Sequence, residues 1–509
     1  MRKPESGRSP RRAHTARRRL LAGGTAIAAA LAVGLGPTAA QADTAQLPVL
    51  VTVDNVRAHM ENLETIAEYN GGNRASGTAG YDVSAMYVID QLKRAGYKPK
   101  KHTFEFDSWK QHSDPVLSVT KPEPKDFVHE DDFSTMTYST GGEATAAGVA
   151  VNTDSGESGC SADDFADFPE GAIAVIKRGG CTFAAKTQNA ADAGAVGAII
   201  YNNQKGLFAG TVSELSDIPV VGASDTVGAE LLAAGDELEL HLKVDAEVVT
   251  ESSYNVIAET KGGRKDNVVV VGAHLDSVED GPGVNDNGSG TAGVLETAKQ
   301  LAKLGTPRNK VRFAFWGTEE QGLIGSTKYV EGLNAKQLDD IALYLNFDMI
   351  GSSNYGRFVY DGRGELAGSL TPPSGSAAIQ KTFEDYFESK NQVSEPTEFS
   401  GRSDYSAFME NDIPSGGLFS GGDSVKTEKQ VEYYGGTAGA DFDPYYHTPN
   451  DTIENINWNS VDELSDALAY SVERFSKSTL PVNGVAPRTL QAPVQAGMQF
   501  DRQGDHWLR

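Results

Sequence analysis

The sequence predicts an α/β protein with a mainly parallel central sheet, helices on both faces, and a smaller β-rich α+β domain inserted in it. From Ser253 onward, apolar runs of strand length alternate with segments of helical period, a pattern typical of parallel sheets. Three continuous apolar runs have the composition of buried strands, at residues 267–272, 311–316 and 341–346. Residues 129–250 are instead rich in Gly, Ala, Ser and acidic residues, with short β-like runs that indicate a separate insert.

The first 42 residues have the features of an export signal rather than of folded structure. Five arginines between Arg11 and Arg19 precede an apolar stretch at residues 20–36, and residues 40–42 form a small-x-small cleavage site. The cleavage site and the short stretch of small residues argue against a transmembrane anchor. We therefore expect a secreted protein cleaved after residue 42, and both the general secretory and the twin-arginine route stay open.

The chain that remains after cleavage is strongly acidic. It has 37 Lys and Arg against 69 Asp and Glu, a formal net charge of −32. Such a surface repels nucleic acid and anionic membranes, so neither is expected as a partner. The expected form is a soluble monomer.

The two cysteines, Cys160 and Cys181, both lie in the insert. In the oxidising compartment that export implies, a disulfide between them would stabilise the fold by about 3 kcal/mol. Two free buried thiols are the alternative, but export favours the disulfide.

Helices are also predicted before the insert, at residues 56–69 and around Ala85, Val88 and Leu92, whose spacing follows the helical period. A further helix is predicted at residues 290–304, between two of the buried strands.

Side chains that bind metals follow the ends of the predicted strands. They occur in the segments HLD, NDNGSG, TEEQG, NFDM and YYHTPND, and are His274, Asp276, Asp286, Glu319, Glu320, Asp348 and His447. Because ligand sites of open α/β sheets lie at the carboxyl ends of the strands, we expect these side chains to meet there. Two histidines with a surplus of carboxylates suit a pair of divalent metal ions. The sequence therefore predicts a metal-dependent hydrolase.

In this order, the five segments resemble the co-catalytic zinc aminopeptidases, a family that includes secreted bacterial leucine aminopeptidases, aminopeptidase Y and glutamate carboxypeptidase. The insert, with GAIAVIKRGGCTFAAK and GAVGAIIYNN, resembles the protease-associated domain of many members. The implied plan is a signal peptide (1–42), the N-terminal part of the peptidase domain (43–128), the protease-associated insert (129–250), the catalytic zinc peptidase domain (251–480) and a C-terminal tail (481–509).

The resemblance implies two Zn²⁺ per subunit and assigns their ligands. One ion would take His274 and Asp348, and the other would take Glu320 and His447. Asp286 would bridge the two ions, and the peptide bond after it is cis in the family.

Three further residues receive catalytic roles from the resemblance. Glu319 would be the general base for a zinc-bridged hydroxide and would later protonate the leaving amine. Asp276 would hold the second ring nitrogen of His274. Tyr446 would donate a hydrogen bond to the oxyanion of the tetrahedral intermediate.

The implied substrates are peptides with a free N-terminus, whose α-amine would be held by Glu319 and Asp348. Arg402, in SGRSDYSAF, would contact the substrate backbone. Phe419, in IPSGGLFSG, would line an apolar pocket for the first side chain. The resemblance therefore implies a preference for N-terminal Leu and other large apolar residues.

Two alternatives stay open. A metallocarboxypeptidase like glutamate carboxypeptidase would share the metal ligands, but it needs a cluster of basic residues, and the sequence offers only the scattered Arg357, Arg363 and Arg402. A catalytically silent binding ectodomain, like that of transferrin receptors, would have lost ligands that this chain retains.

A calcium site is a further implied feature. Asp462 and Asp466 lie four residues apart on the last predicted helix, at the offset from His447 where some secreted members place calcium ligands. The alternative is an exposed acidic helix face, since the family's further aspartate near the start of the mature chain is absent.

Overall fold

The computed structural model describes residues 45–486 of the chain. The predicted signal peptide, and the part of the predicted tail from residue 487 onward, lie outside the described residues. Between residues 45 and 486, no helix combines the length and the apolar character needed to cross a membrane.

The helices of this region are α1 (Leu47–Leu50), α2 (Val53–Tyr69), α3 (Ala79–Arg94), α4 (Phe183–Asp192), α5 (Asp225–Ala233), α6 (Gly290–Leu301), α7 (Ile324–Glu331), α8 (Ala335–Asp339), α9 (Ser376–Ser389), α10 (Ser406–Glu410), α11 (Glu428–Tyr434), α12 (Trp458–Lys477) and α13 (Leu480–Asn483).

The strands are β1 (Lys100–Lys121), β2 (Lys125–Asp126), β3 (Phe133–Thr135), β4 (Gly142–Val151), β5 (Ile173–Lys177), β6 (Gly197–Tyr201), β7 (Val220–Ala223), β8 (Glu239–Glu259), β9 (Arg264–His274), β10 (Asn309–Trp316), β11 (Ile341–Phe347), β12 (Phe358–Tyr360), β13 (Glu395–Thr397) and β14 (Ser415–Phe419).

The predicted helices are present, with differences at their ends. Helix α2 begins at Val53, before the predicted start, because the side chain of Thr52 accepts a hydrogen bond from the backbone of Asn55. Thr78 caps α3 in the same way. The first residues of the predicted tail are folded as α13, in which Asn483 donates to the side chain of Asn267.

The strands form one 14-stranded sheet, in the order β13-β12-β14-β11-β9-β10-β8-β4-β5-β6-β7-β3, with β1 paired to β8 and to β2. Strands β14, β11, β9 and β10 are parallel neighbours, and so are β4 to β7. Strand β8 joins the two parallel groups by antiparallel pairing with β10 and β4. The prediction of a mainly parallel sheet is confirmed.

Helices cover both faces of the sheet around β9. Val269 and Val271 point into a core formed with α2, α3, α6, α9 and α12. Val268 and Val270 point into a second core, which includes residues of α7 and α10. Because alternate residues of a strand face opposite sides, a strand buried on both sides has the unbroken apolar sequence seen here.

The insert has its own cores around β5 and β6, and α4 and α5 follow two of its strands. Cys160 and Cys181 form the expected disulfide, with their Cα atoms 5.8 Å apart. The boundary expected at residue 250 falls inside β8, which pairs with β4 at residues 239–244 and with β10 at residues 256–259. The insert and the remaining sheet therefore share one continuous strand.

Candidate metal centre and active site

The predicted metal ligands gather at the carboxyl ends of the three central parallel strands. His274 is the last residue of β9, and Asp348 directly follows β11. Glu319 and Glu320 lie in the loop after β10. Because these strands are parallel neighbours, the loops after them meet at one edge of the sheet, as the sequence pattern predicts.

His274 lies among three carboxylates. Its Nε2 is 3.1 Å from Oδ1 of Asp286, 3.2 Å from Oδ1 of Asp348 and 3.9 Å from Oε2 of Glu319. The imidazole is 1% exposed, so these contacts are almost completely shielded from solvent.

His447 lies on the other side of Asp286. Its Nε2 is 3.3 Å from Oδ2 of Asp286 and 3.0 Å from Oε2 of Glu320. Asp286 therefore points one carboxylate oxygen at each histidine, which is the arrangement expected of a bridging ligand. The Asp286–Asn287 peptide bond is cis, as the resemblance implies.

Burial and the charges of nearby carboxylates raise the pKa of the two adjacent glutamates. Burial, with the charge of Asp286, raises the pKa of Glu320 to about 7. The pKa of Glu319 is raised well above its ordinary value, again chiefly by burial. Burial would also raise the pKa of Asp286, but hydrogen bonds with His274 and His447 outweigh it and hold that pKa below its ordinary value.

The carboxylate charges also raise the pKa of the two histidines, whereas burial alone would lower it. Burial would lower the pKa of His447, but hydrogen bonds with Asp286 and Glu320 outweigh it and raise the pKa to about 10. The pKa of His274 is also well above its ordinary value, because the charges of Glu319 and Asp348 outweigh the effect of burial. The compact group of buried carboxylates thus favours positively charged groups at this site.

The donor atoms fit divalent zinc. One donor atom each from His274, Asp286 and Glu320 lies within 4.8 Å of the others, and the same holds for His274, Glu319 and Asp348. The second carboxylate oxygen of Glu320 is buried without a hydrogen-bond partner, and a metal ion would supply a partner for it. Imidazole nitrogen and carboxylate oxygen are ligands that zinc accepts.

Asp276 supports this group through more contacts than the sequence predicts. Its backbone carbonyl oxygen, rather than its carboxylate, is nearer to Nδ1 of His274, at 3.1 Å against 3.7 Å. Its two carboxylate oxygens accept the backbone N–H groups of Glu319 and Glu320, at 3.2 and 3.3 Å. One residue therefore orients three members of the site.

Several supporting residues escape the sequence prediction although they lie in or near the quoted segments. The carboxylate of Asp451, in YYHTPND, accepts the backbone N–H groups of Asn285 and Asp286, at 2.7 and 2.9 Å. Ser403, next to Arg402, donates to Asp348. The adjacent Asp404 is buried, and burial raises its pKa to about 8. The signal in the sequence that could have identified these supporting residues is that they are polar and lie in or near the quoted segments.

Arg74 is the largest of these supporting side chains and is fully buried. Its guanidinium donates to three backbone carbonyls of the loop after β9, those of Leu275, Pro282 and Gly283. This loop leads from His274 to Asp286. Arg74 therefore fixes the path of the chain between two predicted metal ligands.

A cavity of about 230 Å³ opens beside the ligands, and the two predicted substrate-binding residues line it with Tyr446. Arg402 donates to the hydroxyl of Tyr446 at 3.3 Å and pairs with Asp423 at 3.4 Å. The ring of Tyr446 stacks on that of His447, with centroids 3.8 Å apart. Phe419, at the end of β14, supplies an apolar wall.

Asp462 and Asp466 lie away from this cavity, on α12. Tyr386 donates to Asp466 at 3.3 Å, and burial, with the charge of Asp462, raises the pKa of Asp466 to about 6. Neither aspartate belongs to a group of three or more metal-binding side chains within residues 45–486.

Two family profiles match the chain. The profile of peptidase family M28 matches residues 255–472, and that of the PA domain matches residues 144–231. An aminopeptidase from Pseudomonas aeruginosa is 47% identical over 483 residues, which cover 91% of this chain and 89% of that protein. Leucine aminopeptidase 2 from Trichophyton equinum is 39% identical over 433 residues, 84% of this chain and 85% of that protein.

Solved structures agree with these matches. The aminopeptidase from Aneurinibacillus sp. strain AM-1 has a TM-score of 0.64 at 28% identity, over 84% of this chain and 95% of that chain. A zinc aminopeptidase from Bacillus subtilis has a TM-score of 0.62 at 26% identity, over 85% of this chain and 98% of that chain. The chain therefore belongs to the aminopeptidases of peptidase family M28, with a PA domain inserted into the peptidase fold.

Proposed function

We propose that this protein is a secreted di-zinc aminopeptidase that removes N-terminal residues, with a preference for Leu and other large apolar ones, from peptides. The observation that carries the proposal is the position of Asp286, whose two oxygens face His274 and His447 at 3.1 and 3.3 Å. Such an arrangement suits a bridge between two ions rather than a single site.

His274 and Asp348 would hold one Zn²⁺, Glu320 and His447 would hold the other, and Asp286 would bridge them. Two ions bring four positive charges, which the three carboxylates and one hydroxide would balance. When bound, the pair lowers the pKa of water toward about 7 and polarises the carbonyl of the scissile bond.

Glu319 is suited to move the proton. It is 8% exposed, faces the same cavity as the ligands, and has a pKa raised well above its ordinary value by burial. A carboxylate with a raised pKa can take a proton from the attacking water and release it to the leaving amine. Glu319 and Asp348 would also receive the free α-amine of the substrate.

Arg402 and Tyr446 line the same cavity as the ligands and are suited to hold the peptide backbone there. Burial raises the pKa of Tyr446, so its hydroxyl stays protonated and can donate to an oxyanion. The guanidinium of Arg402 lies beside that hydroxyl, where it can contact a substrate carbonyl.

The carboxypeptidase alternative finds less support in the arrangement of the arginines. Arg357 forms an ion pair with Glu463, and Arg363 forms one with Glu384. Among the described residues lining the cavity, Arg402 is the one Lys or Arg. A site for an α-carboxylate and an acidic side chain would need more positive charge than this.

Metal removal gives the first test. Leu-nitroanilide with a free N-terminus is expected to be cleaved, because its amine can reach Glu319 and Asp348. N-acetyl-Leu-nitroanilide is expected to resist cleavage. Chelation should abolish release of nitroaniline and added Zn²⁺ should restore it. Cleavage of the acetylated substrate, or full activity after exhaustive chelation, would contradict the proposal.

The second test concerns the first side chain of the substrate. Leu-nitroanilide is expected to have a higher kcat/KM than Glu- or Lys-nitroanilide, because Phe419 offers an apolar wall and the carboxylates repel an acidic side chain. Phe419→Ala should raise KM for Leu-nitroanilide more than for Ala-nitroanilide. A clear preference for acidic residues would contradict this specificity.

Export, a monomeric state and calcium binding remain predictions from the sequence. The signal features of residues 1–42 support secretion. Asp462 and Asp466 would supply only part of a calcium site, because calcium takes six or more oxygen ligands.

A further inference from the structure

A second, larger cleft adjoins the cavity beside the metal ligands. It has a volume of about 650 Å³ and shares Glu320 with that cavity. One wall is the loop after β9, including Glu279, together with Gln321. The opposite wall is strand β1 at residues 107–111, with Tyr138 of the insert region. Apart from Asp276 and Glu320, the residues that line the cleft have no part in the chemistry proposed above.

The position of the cleft fits the part of a peptide that follows the scissile bond. The cavity with Phe419 takes the first side chain, and the bond to be cut lies beside Glu319 and Glu320. The remaining residues must then lead away from the cavity. Because Glu320 lines both spaces, the cleft lies close enough to the ligands to receive them.

Strand β1 offers a free edge to such a chain. Residues 107–111 pair with β8 on one side, and β2 pairs only with Ser118 and Val119 of β1. All five residues line the cleft, although alternate side chains of a strand face opposite ways. The cleft therefore follows the edge of the strand, where an extended peptide can add by backbone hydrogen bonds.

A buried polar group in the cleft lacks a partner. Ser108 is 8% exposed, and its hydroxyl forms no hydrogen bond within residues 45–486. The oxygen of this hydroxyl is not fully enclosed by the protein, so it is open to the cleft and available to a ligand.

The charge of the cleft defines the ligand further. Asp107, Glu251 and Glu279 place carboxylates around it. Lys110 is the one Lys or Arg among its described lining residues, and it is paired with Glu251. The uncompensated charge is negative, which favours cationic side chains and disfavours acidic ones.

We propose that this cleft binds the residues after the scissile bond as an extended strand along the edge of β1, and that its carboxylates favour Lys or Arg at the second or third position of the substrate. The inference rests on the proposed aminopeptidase function. The cleft between the insert and the catalytic loops would thus select which peptides are bound beyond the scissile bond.

The test compares kcat/KM for Leu-Lys-Ala and Leu-Glu-Ala in the zinc-loaded, full-length enzyme. Leu-Lys-Ala is expected to be the better substrate. Asp107→Lys and Glu279→Lys should each lower the ratio of the two values by about fivefold, as expected for exposed charge pairs. Asp167→Lys is the matched control, because Asp167 is an exposed carboxylate of the insert outside the cleft. The differences should shrink in about 1 M salt, where the Debye length is about 3 Å.

Leu-nitroanilide, which lacks a second residue, provides the internal reference for catalysis. An unchanged ratio in both cleft variants, or an equal change in Asp167→Lys, would overturn the cleft assignment while activity on Leu-nitroanilide persists. Failure of the wild-type enzyme to cleave Leu-nitroanilide would instead overturn the proposed function. The two failures are therefore distinguishable.

Discussion

Glu319→Gln is expected to lower kcat for Leu-nitroanilide by about 10²–10⁴-fold while both zinc ions stay bound. Glutamine has nearly the same shape as glutamate, but it cannot accept and return a proton. The residue lies 3.9 Å from Nε2 of His274 and is not among the five expected ligands, so zinc content should be unchanged. The measurement is kcat together with metal content by atomic absorption.

Glu320→Gln is the matched comparison. The two glutamates share a loop, and both donate their backbone N–H groups to the carboxylate of Asp276. Glu320 contacts His447 at 3.0 Å and is an expected ligand, so its replacement should lower zinc content as well as turnover. Near-normal turnover in Glu319→Gln would exclude it as the general base. Loss of zinc from the Glu319→Gln variant would show that Glu319 is a ligand. That role is compatible with its position, because donor atoms of Glu319, His274 and Asp348 lie within 4.8 Å of one another.

Arg74→Met is expected to lower the free energy of unfolding by about 3–5 kcal/mol, a cost typical of removing one partner from a buried charged group. Methionine fills part of the volume but leaves the carbonyls of Leu275 and Pro282 without the donors that Arg74 supplies. The carbonyl of Gly283 loses one of its two donors and keeps the backbone N–H of Gly288. It also removes the buried positive charge near Asp276 and Asp286. Urea unfolding of the zinc-loaded enzyme measures the loss.

Arg94→Met is the matched control for this substitution. Arg94 forms an ion pair with Asp90 on α3, and its side chain is 73% exposed. Its replacement should cost less than about 1 kcal/mol, as for most surface ion pairs. Equal unfolding midpoints for the two variants would show that Arg74 does not hold the loop after β9.

The sequence predicts the central part of the fold because local signals there agree with the tertiary structure. Valines of β9 form an unbroken apolar run, and the structure buries them in two cores. The ligands follow the strand ends, so the rule that parallel strands end at one edge is enough to bring His274, Glu319 and Asp348 together.

The supporting residues could not be predicted in the same way. Arg74 lies about 200 residues from the carbonyls that it contacts, and nothing near it in the sequence indicates burial. Asp451 acts on backbone groups of Asn285 and Asp286, and such contacts leave no pattern in either segment. Residues 101–106, in the first part of strand β1, alternate as a strand does and are predictable as one. The later residues of β1 are mostly polar and are stabilised by pairing with β8, so the sequence alone does not show the full length of the strand.

The strand shared by the insert and the rest of the sheet has a mechanical consequence. Strands β8 and β1 both continue from one part to the other and pair from Glu239 to Ile257, so the two parts are joined by a hydrogen-bonded two-stranded ribbon rather than by a single flexible linker. The insert can therefore move relative to the other part only as far as this ribbon bends. The stiffness of the ribbon should therefore limit how far the insert can yield to a folded substrate that is bulky at its N-terminus.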